Sequence, residues 1–449
     1  MQRPFDWLGE QMENLAEQLS SSRVAPDEQG SAQVHSFLAE HFDLGHQAPM
    51  ERVLELTATL LRGWPSHGGH PGNFASLTGG LHQISLLGEC LAHAWDALPR
   101  ENRVVPLVTE IENFCVDFLG QHLGLKPEQR HGFFTADESA ANHFAIVAGL
   151  SQCFAEFPVG GLRKIDGRPL IYVAESSAQR WLPLVIATGL GSESLRSVPC
   201  ESSGQLDVKA LRRMIIDDAR QDHTPFLVVA TAGNDQGAVD PLKGLAALTR
   251  VQGMWLHVDA VGGGIGLMGP AMKDEYDGLR FADSVAVDTR IAFAVAGSGG
   301  LFMCRHPQPL EAMQGTSTYQ RPLTHTAHAL KVFVTLAHIG IDGYADLIQH
   351  QCNMADELEQ RLQELGWTVQ RPSSLPTLLV TDPGLDPKSD QSELYQSWVD
   401  ALRANHNTLL KVVSLATGAA AIRICISDFA TSLERVGQLC DDLEANRKI

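Results

Sequence analysis

No two of the eight cysteines stand in a C-x-x-C spacing, and they are scattered through apolar contexts such as Phe114-Cys115-Val116 and Ile424-Cys425-Ile426. That spacing excludes a zinc ribbon or a dithiol redox site and points to reduced, buried thiols in a cytoplasmic protein. Positive charge is also scarce: 34 lysines and arginines face 53 acids, a formal charge of −19 with histidine neutral, and no basic run occurs. Nucleic acids and anionic membrane surfaces need a clustered positive footprint, so neither is an expected partner. No apolar stretch reaches the roughly 18 residues of a membrane span. The first residues, Met1-Gln2-Arg3-Pro4-Phe5-Asp6, run into acids where a secretory signal needs a basic start and an apolar core, so no targeting segment is expected. A soluble protein that meets a small molecule or another protein is what remains.

What is present is the composition of a large α/β protein: 449 residues, 44% hydrophobic and 19% charged, with 40 glycines and 22 prolines spread along the chain. Such a length suits a large domain with a smaller companion. Residues 1 to 75 read as a helical arm, because apolar positions recur at helical spacing in Phe5-Leu8-Met12-Leu15-Leu19 and in Val53-Leu56-Leu60-Leu61. The arm ends in the loop Gly63-Trp64-Pro65-Ser66-His67-Gly68-Gly69-His70-Pro71-Gly72. Within 76 to 310, strands and helices alternate, with strands expected at Leu170–Val173, Phe226–Ala230, Trp255–Val258, Ser284–Val287 and Leu301–Cys304. Their near-continuous apolar character implies burial on both faces. From 311 to 449 a small α+β domain is expected, with helices at Ala327–Ile339 and Ala355–Leu365 and strands at Thr377–Val380 and Ala421–Ile424. No internal repeat stands out.

Four stretches follow one another in an informative order. They are Phe134-Thr135-Ala136-Asp137-Glu138-Ser139-Ala140-Ala141-Asn142, the run Val229-Ala230-Thr231-Ala232-Gly233-Asn234-Asp235 through Asp240-Pro241-Leu242, then Trp255-Leu256-His257-Val258-Asp259-Ala260, and Ala282-Asp283-Ser284-Val285-Ala286-Val287-Asp288. Together they resemble the group II pyridoxal-phosphate decarboxylases of fold type I, the family of glutamate, aromatic-amino-acid and diaminobutyrate decarboxylases. His70-Pro71-Gly72-Asn73-Phe74 is similar to that family's N-terminal substrate loop, and Arg196-Ser197-Val198-Pro199 with Gly204-Gln205-Leu206-Asp207 to its R-x-V-P and G-x-M-D segment. The resemblance implies a transferase-like large domain around a mostly parallel seven-stranded sheet, a small C-terminal domain, and a homodimer with the site between subunits.

Such an enzyme holds the aldehyde of pyridoxal 5'-phosphate on a lysine and keeps the ring nitrogen protonated with a carboxylate, so that the ring takes up the electrons left by carbon dioxide. The resemblance gives the carboxylate role to Asp259. It gives the lysine none, because the family's x-H-K falls on Thr289-Arg290-Ile291 and no lysine lies between Lys273 and Lys331. Arg290 cannot replace it, since a guanidinium stays protonated and is a poor nucleophile. The phosphate turn, Gly-Gly-Ser/Thr at a helix N-terminus in the family, reads Asp137-Glu138-Ser139, two acids that satisfy the helix donors from within the chain. Glu175 in Ala174-Glu175-Ser176-Ser177 takes the place of the ring-stacking histidine, and Asn234-Asp235 that of a threonine pair near the phosphate. Ser139, Glu175, His257, Asp259, Asp288 and Arg290 thus occupy cofactor positions whose chemistry is largely changed.

Three functions follow as expectations. One is a pseudoenzyme without covalently bound pyridoxal phosphate that serves as a binding or regulatory protein, as a homodimer or paired with an active paralogue. Another is a working carboxy-lyase that uses a different lysine or holds the cofactor without an imine. The last is a cation or amine site built from Asp137, Glu138, Glu175, Asp235 and Asp259, where oxygen ligands would favour magnesium, calcium or manganese over zinc. His67, His70 and His82 are irregularly spaced for a metal. His325 and His328 are expected on a dimer-facing or solvated surface. Gly262-Gly263-Gly264-Ile265-Gly266 follows the Asp259 strand and lacks the lysine and threonine of a nucleotide loop, and the resemblance implies close-packed backbone there. Arg423 aligns with an arginine of the family's L-R-x-x-x-x-N segment.

Overall fold

The five apolar runs read as strands lie in one seven-stranded sheet in the computed structural model, which describes residues 9–10, 18, 22–24, 30–63, 68–77, 81–94, 106–314, 326–386 and 391–447. Its strands are β1 (His131–Thr135), β2 (Arg168–Ala174), β3 (Leu195–Val198), β4 (His223–Thr231), β5 (Trp255–Asp259), β6 (Ser284–Asp288) and β7 (Gly300–Cys304), in the order β1-β7-β6-β5-β4-β2-β3. β7 pairs antiparallel with both its neighbours, and all the other pairings are parallel. Two cores sandwich the sheet, and alternate residues of each strand enter opposite ones: Leu170 and Tyr172 join Val228, Leu256 and Val285 on one face, while Ile171 and Val173 join Val229, Trp255 and Phe302 on the other. Burying each such aliphatic side chain stabilises the fold by roughly 1.5–3 kcal/mol. A polar strand face would therefore remove one whole layer of helices.

Thr326–Glu364 forms one helical run broken at Gly340, whose backbone turns to φ 68, ψ 167. Ala327–Ile339 is its first part, and the second begins well before Ala355. Ala329, Val332, Leu336, Tyr344 and Ile348 enter the large core, whereas Ala355, Leu358 and Leu362 enter a second one. That second core backs a four-stranded antiparallel sheet of β8 (Thr368–Gln370), β9 (Thr377–Thr381), β10 (Lys411–Ser414) and β11 (Ala420–Cys425), in the order β10-β11-β9-β8. Phe74 of the N-terminal loop is buried in it: its amide donates to the Leu409 carbonyl and its carbonyl accepts from Cys425, each at 2.9 Å. The family-like loop thus fastens the arm to the small domain. Helix Met50–Gly63 forms as its spacing predicts, while the helix expected over Phe5–Leu19 lies outside the described residues apart from 9–10 and 18. Among the described residues, no single helix is long and apolar enough to cross a membrane.

Candidate functional site

In a sheet of this kind the carboxyl ends of the parallel strands open onto a crevice, and the marked residues gather there. Asp137 follows β1, Glu175 follows β2, Asp235 follows β4, and Asp259 and Asp288 end β5 and β6. The loops after β4 and β5 touch backbone to backbone: Gly233 has φ 89, and a Cβ on it would lie 2.5 Å from the Gly263 amide nitrogen. The Gly262–Gly266 stretch is close-packed backbone, as the family resemblance implied.

Each acid finds a partner of its own kind. Asp137 is the N-cap of helix Glu138–Cys153, and its Oδ1 accepts the Ala140 amide at 2.7 Å. Ser139, one residue into that helix, is exposed. Asp288 caps the short helix Thr289–Phe293, accepting the amides of Arg290 at 2.7 Å and Ile291 at 3.4 Å. Burial holds the Asp288 carboxyl above its usual range, and Glu138 adds to this while Arg290 and the two amides oppose it. Glu175 is exposed and accepts the Cys200 amide at 3.0 Å. Asp235 reaches across to the small domain, 3.2 Å from Arg423 Nη1 and 3.6 Å from Lys411 Nζ. Arg423 also donates to the carbonyls of Ala75 and Asp235. The joint cation site expected of these acids does not assemble: among the described residues no group of three or more His, Cys, Asp or Glu could hold a metal ion. Asp137 is met by a helix amide, Glu175 by the Cys200 amide, Asp235 by Arg423 and Asp259 by Arg180, so these acids are satisfied at separate strand ends.

Asp259 is the most confined. Its side chain is 0% exposed, with Oδ1 accepting the Val261 amide at 3.1 Å and Oδ2 accepting Trp181 Nε1 at 3.3 Å and Arg180 Nη2 at 2.6 Å. Arg180 is the site residue that sequence reading missed. It stands in Ala178-Gln179-Arg180-Trp181, which reads as an ordinary first turn of helix Ala178–Ala187.

A cavity of about 350 Å³ lies beside these groups, lined by Glu138, Leu81, Asp288, Arg290, Gly297 and Ser298 with Gly68 and Gly69 of the arm. Ile291 is half-buried against the large core. Lys331 lies close by. Its buried ammonium donates to the Ala296 carbonyl at 2.8 Å and stands 3.6 Å from Glu89, and burial lowers its pKa against the pull of Glu89.

The histidines are placed differently from expectation. His328 is buried, not on a solvated or dimer-facing surface: its Nε2 is 2.6 Å from Thr289 Oγ1, which itself donates to the Gly299 carbonyl. It therefore steadies the turn that carries Arg290 and Ile291. His70 accepts the Gly72 amide and borders Asn407, whereas the His82 ring lies 5.0 Å from that of His338 at a 55° tilt, so the two do not converge. His67 and His325 lie outside the described residues.

His257 is wholly buried, with Nδ1 2.9 Å from Ser284 Oγ and Nε2 2.9 Å from Asn142 Oδ1. Burial brings its pKa down to about 4 despite the charge of Asp259. It is a neutral, fully buried residue with both ring nitrogens engaged. Asp240, whose oxygens accept the Thr231 and Leu206 amides at 2.7 Å, moves the other way: burial, with Asp259 adding, raises it to about 6.

The two shifts have opposite signs in stability. A histidine ionising near 6.5 when unfolded and about 4 when folded stabilises the native state above 6.5 and loses that contribution as pH falls toward 4. Asp240 stabilises most below 3.8 and loses its contribution as pH rises through 6. The stability difference between the wild type and His257→Gln is therefore expected to be largest above pH 6.5 and to shrink by roughly 3 kcal/mol on descent to pH 4. Urea unfolding across that range measures it, and a constant difference would show that His257 titrates as it does in the unfolded chain.

The model of the family described as "Pyridoxal-dependent decarboxylase conserved domain" matches residues 43–368. An L-2,4-diaminobutyrate decarboxylase of Acinetobacter baumannii is 23% identical over 357 residues, 72% of this chain and 68% of that protein. Among solved structures, the apo form of mouse CSAD superposes with a TM-score of 0.87 at 20% identity, covering 98% of this chain and 97% of the other. Oryza sativa TDC with PLP superposes at 0.84 and 18% identity, covering 99% and 96%.

Proposed function

The chain belongs to the pyridoxal-dependent decarboxylase family, and from that premise we propose that it is a non-catalytic member, a binding or regulatory protein that holds no covalent pyridoxal phosphate. What supports this reading is that the resemblance sets Ile291, half-buried against the large core and without an amine, at the family's lysine position. When bound, the cofactor supplies an aldehyde for imine formation and a ring that accepts electrons, and the residues present do not suit it. Its phosphate would meet Glu138 and the buried Asp288 in the cavity, where like charges cost several kcal/mol. One donor at the start of helix Glu138–Cys153 is taken by Asp137, and two at the start of Thr289–Phe293 by Asp288. The homodimer belongs to the same reading, supported by exposed Leu87 and Leu91 on helix Gln83–Ala94 and by exposed Phe114 on the next helix.

A second reading, an enzyme that uses another lysine, has Lys331 in its favour, because its ammonium is buried beside Gly297 of the cavity wall. One experiment separates the two. After incubation with excess pyridoxal phosphate and reduction with borohydride, the intact mass of the wild type is expected to be unchanged, and light scattering of the same sample to give a dimer. A single phosphopyridoxyl adduct mapping to Lys331 would overturn the first reading and establish the second.

A further inference from the structure

We infer that Arg180 is a built-in replacement for the cofactor's ring cation, and that removing it converts the end of β5 into a receptor for a small planar organic cation. This rests on the reading above and adds to it the group that fills the vacated role. A fully buried carboxylate needs a counter-charge, since leaving one unpaired is strongly destabilising. Among the described residues the only cation paired with Asp259 is Arg180, at 2.6 Å. The helix starting at Ala178 delivers two consecutive donors to one oxygen, the Arg180 guanidinium and the Trp181 indole, while the other oxygen is held by the Val261 amide.

Arg180 is the solvent-facing member of its pair with Asp259. Asp259 is 0% exposed and the arginine side chain is 44% exposed, so the arginine lies between the acid and solvent at this contact. Asp235 also feels the charge of Arg180, but it keeps Arg423 and Lys411 as partners. Deleting Arg180 therefore orphans Asp259 alone. What the gap would take follows from what leaves it: a flat, delocalised single cation with an N–H directed at Oδ2. Guanidinium, an amidinium or a protonated pyridine ring meets that description. A phosphate on the ring would count against it, because Glu138 and Asp288 line the neighbouring cavity.

The test is chemical rescue of Arg180→Ala, read by thermal unfolding, with guanidinium and the phosphate-free pyridine pyridoxine at millimolar concentration as probes. The variant is expected to melt several degrees below the wild type and to recover part of that loss with either probe, because a ligand that binds only the native state raises its melting temperature. The wild type and the double variant Arg180→Ala, Asp259→Asn should gain nothing. Should Arg180→Ala fail to fold, Arg180→Gln, which keeps an N–H for Asp259 without the charge, carries the same titration. Unchanged melting of the variant without probes, or an equal gain in the double variant, would overturn the inference. The borohydride experiment on the wild type decides the non-catalytic reading separately, so either can fail while the other stands.

Discussion

Changing Ile291 to lysine restores an amine at the family's position, yet the variant is expected to show no visible imine band with added pyridoxal phosphate. Carbon dioxide release from 2,4-diaminobutyrate, glutamate or an aromatic amino acid should be indistinguishable from that of the unchanged protein. An imine needs the aldehyde held within reach of the amine, and the groups that would hold it are engaged elsewhere. Asp259 is bound to Arg180, the amides at two helix starts are bound to Asp137 and Asp288, and Glu138 faces the cavity where a phosphate would lie. Proximity supplies much of an enzyme's rate enhancement, so a nucleophile without a seated electrophile gains little. Substantial decarboxylation by this single variant would show that the altered charges do not govern the pocket.

The second large effect concerns Arg423, which is 7% exposed and ties three segments together. Its Nε and Nη2 donate to the Ala75 carbonyl at 3.1 and 2.5 Å, and its Nη1 donates to the Asp235 carbonyl at 2.9 Å and to Oδ1 at 3.2 Å. Arg423→Met keeps the aliphatic stem but leaves these acceptors bare, for an expected loss of about 3 kcal/mol in urea unfolding, together with faster proteolytic cleavage near residue 75. Asp235→Asn should cost less than about 1 kcal/mol, because the Asp235 side chain is 65% exposed and water replaces the lost charge. Equal losses in the two variants would mean that the ion pair, rather than the bonds to the carbonyls, joins the domains.

The interior strands were legible in the sequence, and the edges were not. β2, β4, β5, β6, β7, β9 and β11 carry apolar runs because neighbours cover them on both sides, whereas β1, β3, β8 and β10 end their sheets. An edge strand is paired on one side only, so its sequence is free to be short and mixed, as in Leu195-Arg196-Ser197-Val198 and Thr368-Val369-Gln370. At the site, Asp137 announced its capping role through its place before an apolar helix, and the structure bears this out. Pairing across the fold left no such trace. Arg180 and Asp259 are 79 residues apart, and neither local spacing nor helix periodicity distinguishes that arginine from any solvated one. For the same reason a set of acids counted from the sequence looked like one pocket, although Asp137, Glu175, Asp235 and Asp259 follow four different strands and each has its own partner.

The antiparallel β7 also sets an order on synthesis. β1, the first strand of its sheet to leave the ribosome, pairs only with β7, Thr135 opposite Gly300, and β7 is the last strand of that sheet to emerge. β6 waits for the same partner on its open side. A nascent chain therefore carries β1 unpaired until Gly300–Cys304 emerge, and β6 adds a second open margin shortly before then, both available to any other extended segment the chain meets. A chain broken off before Gly300 is thus not a smaller version of this fold, because the strand that would seal both margins is the part it lacks.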